Sequence, residues 1–469
     1  MSARPPLAAP LVARLRRTWE ARRGALGRGG LSEARLLSSS FLGLIAIGTL
    51  GMRLLPGLFT GEPLSWLDCL FTVTSAVCVT GLIVADTATA FTPLGQGYVL
   101  LLIQLGGLGI LTFSTLVVSL LGRRLSLTTE GLARGAAGPA DDLDFRRLTR
   151  HVVLFTLAME AFGALLLWIL WTPEFGPAGA VWPAIFHSVS AFCNAGFSTF
   201  SDSLMSYHAH TGILAVVGAL IVGGGIGFLV MEELYLASTG RRRRLSIHSR
   251  LVLATTAVLL VGGTVLYGML EWHQTLEGMS TWDRLVNAAF LSVTARTAGF
   301  NAVDYAATTA GASFLTILLM SVGGSPGSTA GGLKTTTAAL IGLLAWARLR
   351  GQDRVHLWGR SVPRDTVQRA VGVFVLTFGI VTAAIFILSA TESHAGPDAF
   401  LRIMFEAASA FNTVGLSMNH TGTLTPAGRW TIIVLMFVGR VGPLTFAAAL
   451  ASRRDATPFR FAHEDVALG

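Results

Sequence analysis

Four short apolar segments that each run into a glycine constrain this chain more than anything else in it. FTVTSAVCVTGL (71–82), FHSVSAFCNAGF (186–197), AFLSVTARTAGF (289–300) and FEAASAFNTVGL (405–416) align without gaps. Their glycines, Gly81, Gly196, Gly299 and Gly415, lie 115, 103 and 116 residues apart, which marks an internal repeat. Each apolar stretch makes about three helical turns, too short to cross a bilayer and suited to a re-entrant half-helix. Two of them open with a capping pattern, Ser65-x-x-Asp68 and Ser280-x-x-Asp283, which fixes where helix begins. Half-helices dipping in from outside aim their C-terminal ends, which carry partial negative charge, at the centre of the membrane. Four such ends favour a cation. Non-helical backbone at that depth survives only if it is buried in protein or lines a wet cavity, and glycine can take angles that turn a carbonyl inward. Four such turns about an axis form a ring able to replace an ion's hydration shell. Glycine is also a common packing residue between membrane helices, which would account for one of these positions more readily than for four matched ones.

The composition agrees with a chain of many spans: 52% of residues are hydrophobic, 13% are charged, and the mean hydropathy is +0.62, far from an ordinary soluble domain. Apolar runs at 39–60, 97–121, 151–172, 212–237, 250–270, 312–346, 369–390 and 428–451 each reach the roughly 20 residues a spanning helix needs. Eight spans put both termini on one side. The first 38 residues hold eight arginines against two glutamates, with no cleavable leader pattern. Further arginines follow spans two, four and six: Arg123, Arg124, Arg146, Arg147 and Arg150; Arg241 to Arg244 and Arg250; Arg348, Arg350, Arg354, Arg360, Arg364 and Arg369. Those segments and both termini are therefore expected in the cytosol. The opposite connections carry Glu62, Asp86, Glu174, Asp202, Glu271, Glu277, Asp304 and Glu392, a comparatively acidic outer face. The net charge of +9 then follows from topology and gives no reason to expect a nucleic-acid partner. Cys69, Cys78 and Cys193 show no metal-ligand spacing and read as small buried residues.

The motifs "SAVCVTGL", "SAFCNAGFST", "TARTAGFN" and "SAFNTVGLS" resemble the filter sequences of the K⁺ transporter superfamily that contains the bacterial Ktr and Trk membrane subunits. The resemblance covers roughly residues 39–452, and the absence of an extra helix pair ahead of the first repeat is more similar to Ktr. It implies an all-α polytopic membrane protein with four M1–pore helix–M2 repeats around a pseudo-fourfold pore. The expected layout is a basic cytosolic segment (1–38), repeats at 39–121, 147–238, 249–347 and 366–452, and a cytosolic tail (453–469). The resemblance further implies K⁺ uptake, with K⁺ held by carbonyls at Val79, Thr80 and Gly81; Asn194, Ala195 and Gly196; Thr297, Ala298 and Gly299; and Thr413, Val414 and Gly415. All four filter glycines are present, which supports K⁺ over Na⁺. The family likeness also implies a homodimer surrounded by membrane lipids. A separate cytosolic ring of regulatory subunits would bind ATP/ADP or NAD(H), with no cofactor in this chain and Na⁺ dependence left open.

The stretch SVGGSPGSTAGGLKTTT (321–337) interrupts the run 312–346 and holds Lys334, the single lysine of the chain. Glycine costs about 1 kcal/mol and proline about 3 kcal/mol against alanine inside a helix, so the helix must break here. A P-loop is a poor match, because Leu333 separates Gly332 from Lys334 and no strand precedes the segment. A passive kink and a gate both remain. By resemblance Gly323, Gly324, Ser325, Pro326, Gly327, Ser328, Thr329, Gly331, Gly332 and Lys334 form an intramembrane loop that obstructs the pore. Lys334 would end that loop on the cytosolic side, either snorkelling to water or pairing with it. Arg440 falls near the middle of the last apolar run, where a cation costs at least about 2.5–3.5 kcal/mol. It either neutralises a buried carboxylate such as Glu406 or faces the pore beneath the filter, the family's arrangement. Arg296, just ahead of Gly299, is expected to brace the filter through hydrogen bonds, Glu232 and Glu233 to be a solvated helix end, and Glu160 to need a partner the sequence does not name. Two alternatives stand beside K⁺ uptake: a Na⁺ or ammonium pathway on the same scaffold, and a multi-span enzyme or receptor, for which no convincing set of catalytic residues is present.

Overall fold

The computed structural model describes residues 33–109, 145–240, 244–392, 398–443 and 445–446. The distal parts of the apolar runs 97–121 and 428–451, both tails and Arg123, Arg124 and Arg241 to Arg243 lie outside them. Among the described residues, four unbroken helices are long and apolar enough to cross a membrane: α1 (Glu33–Leu54), α4 (Phe145–Gly179), α8 (Ile247–Glu271) and α12 (Arg364–Thr391). Each packs against a short helix that follows it: α2 (Trp66–Val77), α5 (Val181–Phe192), α9 (Thr281–Thr294) and α13 (Ala399–Phe411). The expected caps are formed, since Ser65 Oγ accepts from Asp68 N and Ser280 Oγ from Asp283 N.

A second helix completes each unit, starting as α3 (93–109), α6 (Thr211–Ile226), α10 (Ala310–Met320) and α14 (Pro426–Val441). Packing runs round in chain order: α6 lies on α9, α10 on α13, and α14 returns to α2. An Arg429–Asp68 ion pair joins that last contact. Phenylalanines of the short helices, Phe71, Phe186, Phe405 and Phe411, are fully buried, whereas Ile47, Val258 and Phe386 on the long helices are at least 70% exposed. That inverted surface is what a lipid environment demands of a polytopic protein.

The second helices depart from the expected continuous spans. The run 212–237 bends by 103° between α6 and α7 (Phe228–Ser238), at Gly227 with φ 95° and ψ 141°. Helix α14 stops at Gly442 with nearly the same angles, φ 92° and ψ 137°. The polar interruption of the third repeat is thus the extreme case of a shared break. Thirteen residues after the start of each second helix stands a glycine, Gly106, Gly224, Gly323 and Gly439, the third of them already beyond the end of α10. A side chain at Gly106, Gly224 or Gly439 would overlap the carbonyl oxygen of Val77, Phe192 or Phe411, the last residue of the adjoining short helix. At the end of the third repeat, α11 (Thr335–Leu349) leads to a hairpin of β1 (His356–Leu357) and β2 (Arg360–Ser361), a small departure from the all-α pattern. Gly439→Ala is expected to destabilise the fold by about 1–3 kcal/mol, the usual cost of overpacking. Gly262→Ala, with nothing within 4 Å of the added methyl, should leave the detergent thermal midpoint unchanged, and melting the two variants side by side checks this.

Candidate ion pathway

Each short helix ends on a tight turn whose backbone alternates in hand. Val79, Asn194, Thr297 and Thr413 have φ of 56°, 60°, 67° and 50°, and the glycines two residues later have φ of 96°, 70°, 80° and 91°. The residues between them, Thr80, Ala195, Ala298 and Val414, lie outside the positive-φ region. Alternation of this kind points successive carbonyls to the same side, whereas in a strand they alternate. Non-glycine residues in the left-handed region are strained and persist only where their surroundings over-determine them. Here hydrogen bonds from the preceding helix do so. Thr80 N donates to Ser75 O (2.8 Å), Ala195 N to Ser190 O (2.7 Å), Ala298 N to Thr294 O (3.1 Å) and Val414 N to Ser409 O (2.8 Å). Hydroxyls reinforce the turns: Ser75 and Ser409 accept from Gly81 N and Gly415 N, and Ser190 and Thr294 donate to Phe197 O and Phe300 O, both at 2.7 Å.

The four turns meet. A Cβ on Gly196 would lie 2.8 Å from Ala298 O, one on Gly299 would lie 2.5 Å from Val414 O, and those on Gly415 and Gly81 would overlap Thr80 O and Ala195 O. The contacts run from repeat one to two, three, four and back to one, which closes a ring with no space for a side chain. Above it opens a cavity of about 310 Å³ lined by the four glycines and by Asp86 and Asp202.

The segment 321–334 forms a folded loop held between the second and fourth repeats. Gly323 N donates to Leu333 O (2.8 Å) and Thr335 N to Gly324 O (3.1 Å), which pins its two ends together. The second repeat holds one side, through Ser325 N to Gly225 O (2.9 Å), Phe228 N to Gly327 O (2.9 Å), and Thr329 N and Oγ1 to Gly224 O and Phe192 O, both 3.2 Å. On the other side Gly331 and Gly332 sit so close to Thr413 and Asn412 that a side chain on either would collide. Arg440 is 3% exposed and donates to Thr329 O in the loop and, at 3.0 Å, to Gly106 O in α3. Lys334 turns back to donate to Ala330 O (2.7 Å), so it pairs with the loop and does not snorkel.

Several expectations change. Glu406 accepts from Ser417 (2.9 Å) and Thr421 on the outer side, so it is not the partner of Arg440. Glu160 accepts from Gln104 (3.0 Å) and from the Cys193 thiol (3.6 Å) beside the second turn. Arg296 does not brace the filter, since its buried Nε has no partner among the described residues. It lines a small cavity with Gly225 and Gly324. Glu233 is no free helix end, because it accepts from Ser246 N (3.0 Å) and Ser249 Oγ (2.7 Å). The sequence reading passed over Gly106, Gly224 and Gly439, although GGLG (106–109), GGIG (224–227), GGSP (323–326) and GRVG (439–442) repeat one pattern in which Arg440 stands where the other three have glycine. It also passed over His187, whose ring bonds Pro183 O and Ser198 Oγ, both at 2.8 Å, just past the second turn.

Residues 38–455 match the family described as TrkH, cation transport protein. The chain belongs to that family. It is 38% identical to the Ktr system potassium uptake protein B of Vibrio alginolyticus, over 94% of this chain and 96% of that protein. It is 37% identical to the potassium/sodium uptake protein NtpJ of Enterococcus hirae, over 94% and 98%. The crystal structure of the potassium transporter TrkH from Vibrio parahaemolyticus superposes with a TM-score of 0.69 at 21% identity, covering 88% of this chain and 85% of that one. The fold is therefore the four-repeat fold of this family, in a multi-pass membrane protein, and the enzyme and receptor alternatives fall. Replacing Arg440 by Gln removes the charge that ties the loop to α3. Amide hydrogens of 323–332 are expected to exchange at least about tenfold faster in that variant, as hydrogen–deuterium exchange with mass spectrometry would measure.

Proposed function

We propose that this chain takes up K⁺ through the ring of four glycine turns, with the carbonyls of residues 79–81, 194–196, 297–299 and 413–415 standing in for the ion's water shell. The closed head-to-tail contact of the four turns beneath an acid-lined cavity carries this reading. Ions gather in the outer cavity under the influence of Asp86 and Asp202, enter the ring, and meet the loop 323–332. In the obstructed state, Lys334 and Arg440 place two cations below the ring and oppose the passage of a third. Conduction needs the loop to leave the axis. The chain works as a homodimer with repeats at 39–121, 147–238, 249–347 and 366–452. A separate ring of nucleotide-binding subunits, taking ATP/ADP or NAD(H), acts on the arginine-rich face.

A second reading, Na⁺ carried or required together with K⁺, is favoured by the potassium/sodium name of the Enterococcus relative. Flux of ⁸⁶Rb⁺ into liposomes holding the purified protein, with K⁺ or Na⁺ as competitor, separates the two. K⁺ is expected to compete at concentrations at least about tenfold lower than Na⁺, and Gly196→Ser to erase that difference. Arg440→Ala and removal of 324–331 are each expected to raise flux severalfold. Equal competition by Na⁺ in the wild type would favour the second reading, and folded variants that lower flux would overturn the gate.

A further inference from the structure

The arginine-rich face holds a further cavity that the ion pathway does not use. It holds about 380 Å³ between α11, the residues on either side of the hairpin (353–355 and Val362) and the start of α12. Its floor is apolar: Val355, Val367 and Ala347 are buried and Leu344 and Val362 pack on them. Its rim carries Arg348, Arg354 and Arg364 against one carboxylate, Asp353, which Arg348 reaches at 3.5 Å in an exposed pair. Positive-inside topology accounts for arginines on this face but not for a cleft that gathers three of them over an apolar floor.

Two observations extend the cleft towards lipid. Val371, at its edge, leads along α12 to Phe374, Val375 and Phe378, all exposed apolar side chains on a helix long enough to span the membrane. An indole on the same connection between α11 and α12, Trp358, is 52% exposed. Trp358 occupies the hairpin tip at φ 45° before Gly359 at φ 78°, a type I′ position that favours Asn, Asp or Gly. An exposed, strained Trp gains nothing there from packing, whereas an indole at the headgroup level is well placed.

We propose that this cleft binds an anionic phospholipid of the arginine-side leaflet. Its phosphodiester would lie among Arg348, Arg354 and Arg364, with an acyl chain along the Val371–Phe378 face of α12. Basic pockets between membrane helices bind such headgroups by charge-assisted hydrogen bonds. The site stands apart from the ion pathway and does not depend on which cation passes. It does occupy α11, the helix whose first residue, Thr335, closes the loop.

The test is native mass spectrometry of the full-length protein in neutral detergent, titrated with phosphatidylglycerol and with phosphatidylcholine. Phosphatidylglycerol should bind at least about tenfold more tightly, and the combined Arg348→Gln, Arg354→Gln and Arg364→Gln variant should lose that preference. Arg360→Gln with Arg369→Gln, two exposed arginines of the same face outside the cleft, should keep it. Millimolar inorganic phosphate should not displace the lipid. The proposal is overturned if the wild type binds the two lipids equally, if the cleft variant, still monodisperse, keeps its preference, if the control pair loses it equally, or if phosphate alone displaces the lipid.

Discussion

The packing of the four repeats turns on one contact, the close approach of Gly81, Gly196, Gly299 and Gly415 each to a carbonyl of the neighbouring turn. Backbone that leaves a helix inside a membrane exposes carbonyls with no water to satisfy them, and four such departures together concentrate the problem. The molecule solves it by letting the turns face one another and by tying the amides of Thr80, Ala195, Ala298 and Val414 back to their own helices. No turn can move alone, because the space one would take is filled by the next. The short helices, their serine and threonine hydroxyls, and the glycines of α3, α6 and α14 that admit the helix ends all serve to hold that ring.

Beneath the ring the fourfold pattern is broken on purpose. One repeat supplies the loop, a second supplies most of its hydrogen bonds, a third supplies Arg440, and a fourth supplies Gly106 O as the anchor. Arg440 stands in register with Gly107, Gly225 and Gly324, so a single glycine-to-arginine difference ties the loop to α3 at a break the repeats share. A buried cation is tolerable only with acceptors around it. Here those acceptors are carbonyls freed by the break itself, and moving the loop aside withdraws one of them. That couples the charge to the conformation.

The sequence made the four half-helices, their caps and their glycines legible because all of these are local: a length, a capping pair, a residue type that permits positive φ. It also located the loop, since glycine and proline exclude helix whatever surrounds them. Long-range choices were not legible. On spacing alone Arg440 could neutralise a buried carboxylate such as Glu406 or face the pore, and only the packing of four repeats selects the carbonyls of Thr329 and Gly106. The run 212–237 reads as one continuous span because the residues around Gly227 are apolar, yet the angles of Gly227 bend it by 103°. The hairpin at 356–361 went unseen because its tip is Trp-Gly where the usual signal is Asn-Gly.

The most direct test of the central claim is anomalous diffraction from crystals of the protein grown in Rb⁺ and, separately, in Na⁺. Density on the axis between the four glycine turns, present with Rb⁺ and absent or displaced with Na⁺, is the expected result. Rb⁺ that binds only in the outer cavity, with the ring empty or collapsed, would contradict the assignment of these carbonyls as the ion's substitute for water.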